Sequence, residues 1–171
     1  IVATCDSEIS DLIKNNDGKV IMTSKKHING TSRVAEAVNS INCTHIVLLQ
    51  GDEPLILPNQ LKIFNEAIIS DPICDAWNAT GIIEDKIELD KHSFVKCIVS
   101  KKGYITNCFR KFSKLSDPDK QNKEIKKVLG VIAYRTDFLK EIISKPTSSG
   151  ERLELIEQMR ILDNGYKLKS V

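Results

Sequence analysis

"HIVLLQGDEPLILPNQLKIFNEAIIS", residues 45–70, decides the fold. His45 to Leu49 is a near-continuous apolar run of strand length, the pattern of a strand buried on both faces. Gln50-Gly51-Asp52-Glu53-Pro54 then breaks it. Pro58 opens a helical segment in which Leu61, Phe64 and Ile68 share one side. Strand, short loop and helix make half of a βαβ unit.

The same alternation extends outward. "IVAT" (1–4) reads as a strand, and "SEISDLIKNN" (7–16) as a helix with Ile9, Leu12 and Ile13 on one face. Asp6 or Ser7 can cap that helix, and Gly18 lies past its end. "KVIMT" (19–23) is a strand, "TSRVAEAVNSI" (31–41) a helix, and "CDAWNATG" (74–81) a strand. Short connections between alternating elements predict parallel pairing with right-handed crossovers. After residue 90 the pattern changes. "FVKCIVSKKGYITNCFR" (94–110) reads as a β-hairpin turning at Lys102–Gly103. Residues 112–126 are polar and read as a loop. "KVLGVIAYR" (127–135) is a further strand, "TDFLKEIIS" (136–144) a helix, and "ERLELIEQMRILDNG" (151–165) one helix ending at Gly165. The expectation is one three-layer α/β/α domain over residues 1–171. Its sheet is mostly parallel and Rossmann-like, with a β-hairpin-containing insertion at about 91–135. Both ends fall in strand-like runs, so the domain is expected to continue beyond them.

The 171 residues carry a formal charge of +2, which gives no footing for nucleic acid or a membrane surface as partner. Apolar runs stop at about six residues, far short of the ~20 a spanning helix needs. No signal-peptide pattern opens the sequence, which reads as that of a cytoplasmic protein. The five cysteines, with no CxxC spacing, read as small core residues rather than a disulfide framework or zinc site. His27, His45 and His92 lack metal-ligand spacing, and Trp77 reads as a core aromatic.

Three stretches could carry chemistry. In open α/β sheets, ligands sit beyond the carboxyl ends of the strands. There, Gly51 would allow a tight turn, and a carboxylate suits Mg²⁺, which takes few protein oxygens. The same residues also describe a solvated acidic turn. "HINGTSR" (27–33) sets Gly30, Thr31 and Arg33 at a helix N-terminus, fit for an anion or for nothing more than a capped helix. In "ERLELIEQMR" (151–160), Glu154 and Glu157 share a helix face at i, i+3 beside Gln158, a polar site or a solvated face. Arg110 follows the hairpin.

Taken together, "MTSKKHINGTSRVAEAV", "LLQGDEPLILP" and "LIEQMRILDNGYKL" resemble, in order, the 3-deoxy-manno-octulosonate (KDO) cytidylyltransferase family. That family reads "VATDD", "MTS…H.SGTDR.AE", "VQGDEP.I.P" and "LEQLR.L..G..I". The resemblance implies a nucleotide-diphospho-sugar transferase fold. It implies that CTP and a 2-keto-3-deoxy sugar acid give CMP-sugar and pyrophosphate, for surface polysaccharide or lipopolysaccharide synthesis. Asp52 would be catalytic through Mg²⁺, together with Arg33. Thr23, Gly30, Thr31, Arg33, Gln50 and Gly51 would form the nucleotide pocket, and Arg110, Glu154, Glu157 and Gln158 the sugar site. A homodimer through the insertion is implied, with Phe94, Ile98, Phe109 and Val131 in need of cover.

The sequence departs from the family in its sugar half. "RHLGIYGYR" stands as "KVLGVIAYR", which puts Val128 and Ile132 where the family has histidine and tyrosine. The family's opening strand, its triphosphate loop and its later "VDTPEDL" segment have no counterpart within residues 1–171, so this stretch by itself is expected to lack turnover. The alternative is a degenerate relative that binds a nucleotide or partner without turnover.

Overall fold

The computed structural model describes residues 1–85, 87–111 and 124–171, so most of the polar loop expected at 112–126 lies outside the described residues. Among the described residues, eight strands run in the order β1 (Val2–Thr4), β2 (Val20–Met22), β3 (His45–Leu49), β4 (Ala76–Ile82), β5 (Lys96–Val99), β6 (Ile105–Phe109), β7 (Ile125–Arg135) and β8 (Leu168–Ser170). The helices are α1 (Ser7–Asn15), α2 (Gly30–Ala37), α3 (Pro58–Ser70), α4 (Ile87–Asp90), α5 (Thr136–Ser144), α6 (Ser149–Glu154) and α7 (Gln158–Asp163).

Local chemistry sets the boundaries. Asp6 caps α1 by accepting from the N–H groups of Glu8 and Ile9. Asn29 caps α2 by accepting from Ser32 at 2.9 Å. Pro58 starts α3, and the Gln60 side chain reaches back to the Leu57 N–H at 2.8 Å. Gly103, at φ +80°, closes the β5–β6 hairpin. The four-residue helix α4 carries no periodic signal and escapes a reading of the sequence.

The long strand β7 organises the sheet. One edge pairs along β4; the other pairs first with β5 and then with β3. β3 and β4 both oppose β7 and so run alike; β8 runs parallel to β4, and β1 parallel to β2. This is the expected α/β arrangement in two sheets: a six-stranded one, in which β7, threaded between β3 and β4, and β6 oppose the other four strands, and a separate pair of β1 and β2. The side chains of β7 alternate across the sheet. Ile132 and Tyr134 face Phe138, Leu139 and Ile142 of α5 with Ala35 of α2, while Val131 and Ala133 face Phe64 and Ile68 of α3 with Trp77. Helices on both faces give the three layers. A smaller core of Ile83, Leu89, Phe109 and Ile125 lies under the hairpin.

Two expectations need correction. The segment 151–165 is two short helices, because Leu155 adopts the left-handed conformation (φ 56°, ψ 45°) and turns the chain; Glu154 and Glu157 therefore share no helix face. Within the insertion, Phe109 and Val131 are covered by this chain's own cores, and of the four apolar residues expected to need cover only Ile98 is exposed. Cys74, Cys97 and Cys108 are core residues as expected, and Cys5 and Cys43 are partly exposed. Trp77 is fully buried; its Nε1 is, among the described residues, the one buried side-chain donor or acceptor without a partner.

Candidate active site

β3 and β5 abut the same edge of β7 end to end, and the gap between them opens a cleft of about 540 Å³. It collects Thr31 from the start of α2, Gln50 and Asp52 from the end of β3, Arg110 from the end of β6, and Glu157 and Gln158 from the start of α7. Six of the expected site residues, distant in sequence, thus line one cavity. The expected Thr23, Gly30, Arg33, Gly51 and Glu154 do not line it.

The loop after β3 is pinned to β7. Gln50 N–H donates to the Gly130 carbonyl at 2.8 Å, and the Glu53 carboxylate accepts from Gly130 N–H at 2.6 Å. Of the adjacent acids, Glu53 props the loop and Asp52 stands exposed in the cleft. Gly51 lies in the expected tight turn, closed by Glu53 N–H on the Gln50 carbonyl at 3.2 Å, but its φ is not positive and a Cβ there would meet nothing within 4 Å. The glycine that the geometry requires is Gly130, where a Cβ would lie 2.8 Å from Glu53 Cγ.

Thr23 and Arg33 act on each other. Arg33 Nη1 donates to Thr23 Oγ1 at 2.6 Å and to the Ser24 carbonyl at 3.3 Å. Glu36 accepts from Ser24 N–H and pairs with His27, and those bonds hold its carboxyl below the usual range. This ties the segment between β2 and α2 to α2 itself.

On the opposite wall the polar groups are half-buried and cross-braced. Burial pushes the Glu157 carboxyl above its ordinary range, against hydrogen bonding from Thr31, which favours the charged form. Thr31 Oγ1 lies 3.3 Å from the Tyr134 hydroxyl, whose pKa burial raises far above its ordinary value. Arg160 grips Glu151 with two bonds of 2.6 and 2.7 Å beneath. Gln158 Nε2 donates to Asn78 Oδ1 at 2.9 Å; the Asn78 amide N–H groups meet backbone carbonyls of β7 at the irregular stretch of the β4–β7 ladder.

Reading the sequence leaves Glu53 open between acid and prop, and it misses Asn78, Phe94 and Lys127 as site residues, although the last two line the cleft. Asn78, polar in the middle of an apolar strand, is a usable signal; Lys127, paired with Glu88 at 3.1 Å, gives none. Val128 and Ile132 line the cleft as well, which makes its floor apolar where the resembled family is polar.

Among the described residues no group of three or more His, Cys, Asp or Glu could hold a metal ion. A single exposed aspartate fits Mg²⁺ only where substrate oxygens and water complete its shell. No helix, among the described residues, is long and apolar enough to cross a membrane.

A family model described as cytidylyltransferase matches residues 1–168. The 3-deoxy-manno-octulosonate cytidylyltransferase of Bacteroides thetaiotaomicron is 36% identical over 178 residues, spanning 98% of this chain and 71% of that one. The 3-deoxy-manno-octulosonate cytidylyltransferase 2 of Actinobacillus pleuropneumoniae is 34% identical over 180 residues, again 98% and 71%. Among solved structures, a CMP:2-keto-3-deoxy-manno-octonic acid synthetase complexed with CTP matches with a TM-score of 0.89 at 26% identity, over 97% of this chain and 68% of that one. Agreement in sequence and in backbone thus runs nearly end to end, and the chain belongs to the cytidylyltransferase family.

Proposed function

We propose that the protein transfers the cytidylyl group of CTP to a 2-keto-3-deoxy sugar acid, KDO or a close relative, and releases pyrophosphate. The observation that carries this reading is the single cleft shared by Gln50 and Asp52 at the β3 end and by Arg110, Gln158 and the hydrogen-bonded pair Thr31 and Glu157 on the opposite wall. A two-substrate transfer needs both partners held together in one cavity. The nucleotide belongs at the β3 end and the sugar acid against the α6–α7 corner. The anomeric hydroxyl then attacks the α-phosphorus, the bond to the β-phosphate oxygen breaks, and pyrophosphate leaves. Asp52 would hold Mg²⁺, which when bound neutralises charge on the phosphates. Glu53 keeps Asp52 in place by pinning the loop to Gly130. Thr23 and Arg33, with Glu36, set the loop that precedes α2 at the nucleotide end.

The same reading makes the protein a cytoplasmic homodimer joined through the hairpin insertion, with exposed Ile98 on β5 in the interface. Its test is pyrophosphate release by the chain, expressed with whatever residues its gene places before Ile1 and after Val171. Release is expected only when CTP, Mg²⁺ and the sugar acid are all present. Val128 and Ile132 favour one other reading, a binder without turnover. CTP binding with no release in any mixture would establish that reading instead.

A further inference from the structure

The cleft has polar walls and an apolar floor. Gln50 and Asp52 stand at the β3 end, and Arg110, Glu157 and Gln158 stand opposite. Between them β7 contributes Val128 and Ile132, on either side of Gly130, and Val95 and Ile156 join them. Ile132 and Ile156 belong to the main core, 4% and 2% exposed, and Val95 and Val128 pack against it half-buried. The hydrophobic core thus surfaces in the middle of a cleft with charged walls.

The backbone under these side chains is already bonded. Val128 N–H donates to the Val95 carbonyl at 2.9 Å. Gly130 N–H donates to the Glu53 carboxylate at 2.6 Å, and the Gly130 carbonyl accepts from Gln50 N–H at 2.8 Å. Lys127, a charged neighbour in the lining, has its Nζ on Glu88 at 3.1 Å. A ligand hydroxyl laid on this floor gives up water and gains no partner, which weakens binding. A methylene or methyl group in the same place gains from burial. The walls suit the polar groups of a ligand, and the floor asks one side of it to be apolar.

We propose that Val128 and Ile132 select the sugar acid: the preferred substrate is a 2-keto-3-deoxy acid that is further deoxygenated, as a methylene or a terminal methyl, at the position that lies against β7. This rests on the cytidylyl-transfer reading and narrows its substrate. KDO is still accepted, because an apolar pocket rejects an added hydroxyl by no more than about 10²-fold.

The test is kcat/KM, with CTP and Mg²⁺, for KDO and for the analogues of KDO that each lack one hydroxyl other than the anomeric one. One analogue should exceed KDO by about tenfold or more. Val128→Thr, which keeps the shape and adds a hydroxyl, should cut that preference to less than about threefold. Val128→Ala, smaller and still apolar, should keep the preference, and KM for CTP should stay within about twofold in both variants. Thermal melts accompany the kinetics, and the comparison in the unmutated protein stands by itself should either variant fail to fold. KDO used at least as well as every analogue by the unmutated protein overturns the proposal. So does a preference that survives Val128→Thr, or one that falls as far in Val128→Ala, which would trace it to the shape of the floor and not to its polarity. If no sugar acid is turned over, the cytidylyl-transfer reading fails, and calorimetric Kd values of the same set for the CTP-bound protein decide this proposal separately. One analogue should then bind about tenfold more tightly than KDO, and equal affinity across the set overturns it.

Discussion

A methyl group at position 130 would push two side chains aside. A Cβ there would stand 2.8 Å from Glu53 Cγ and 3.0 Å from Gln50 Oε1, because the loop after β3 lies directly on the strand. This close approach gives the two neighbouring acids different tasks: Glu53 is consumed by Gly130 N–H, and Asp52 is left facing the cleft. Asp52→Asn keeps the size and removes the charge. It should lower kcat by about 10²-fold or more, on the order of 3 kcal/mol, with an unchanged melt. Glu53→Gln keeps an acceptor for Gly130 N–H and should lose less than about tenfold. Steady-state kinetics of both variants decides the matter; near-normal turnover in Asp52→Asn would reduce the loop to an acidic turn. Gln50, Asp52 and Thr31 are legible in the sequence because each sits in a short motif at the end of a strand or the start of a helix. The partner that sorts the two acids lies 77 residues away, and local sequence carries no sign of it.

Helix α7 begins beside a carboxyl that would rather be neutral. Burial raises the Glu157 pKa above the ordinary 4.5, so the folded chain binds this proton more tightly than the unfolded chain. Its stabilising contribution is therefore complete below about pH 4.5 and is lost as pH rises through the folded value. Glu157→Gln, neutral throughout, should melt above the parent at pH 7 to 8, and the gap should close as the pH falls toward about 4.5. The same variant should lose turnover, since the residue lines the cleft. A gap that is constant with pH, or that widens in acid, would refute the assignment. Most elements are legible locally: α3 from Pro58 and its apolar face, β3 from its five-residue run, the β5–β6 hairpin from Gly103. The break at Leu155 is not, because leucine has no preference for that turn and the arginine clasping it sits on β6. Insertion of β7 between β3 and β4 is likewise a non-local pairing that strand patterns leave open.

For the molecule as a whole, the cleft exists because β7 is long enough to serve two strands on one edge, and its chemistry exists because the strand ends and helix starts around that gap are polar. Phe109 and Val131 are buried within the chain, so a dimer would have to use exposed Ile98 on β5. Light scattering at micromolar concentration should give twice the monomer mass, and Ile98→Lys should give the monomer; a monomeric parent would remove the dimer from the account. The claim on which everything else depends is the joining of CMP to a sugar acid. Phosphorus NMR of the protein with CTP, Mg²⁺ and KDO tests it directly, because product and by-product resonate apart. The account predicts that the CTP signals are replaced by one phosphodiester signal and by pyrophosphate in equal amounts, with no change when the sugar acid is omitted. CTP left intact with the sugar acid present, or consumed to CMP and pyrophosphate without a phosphodiester, would contradict it.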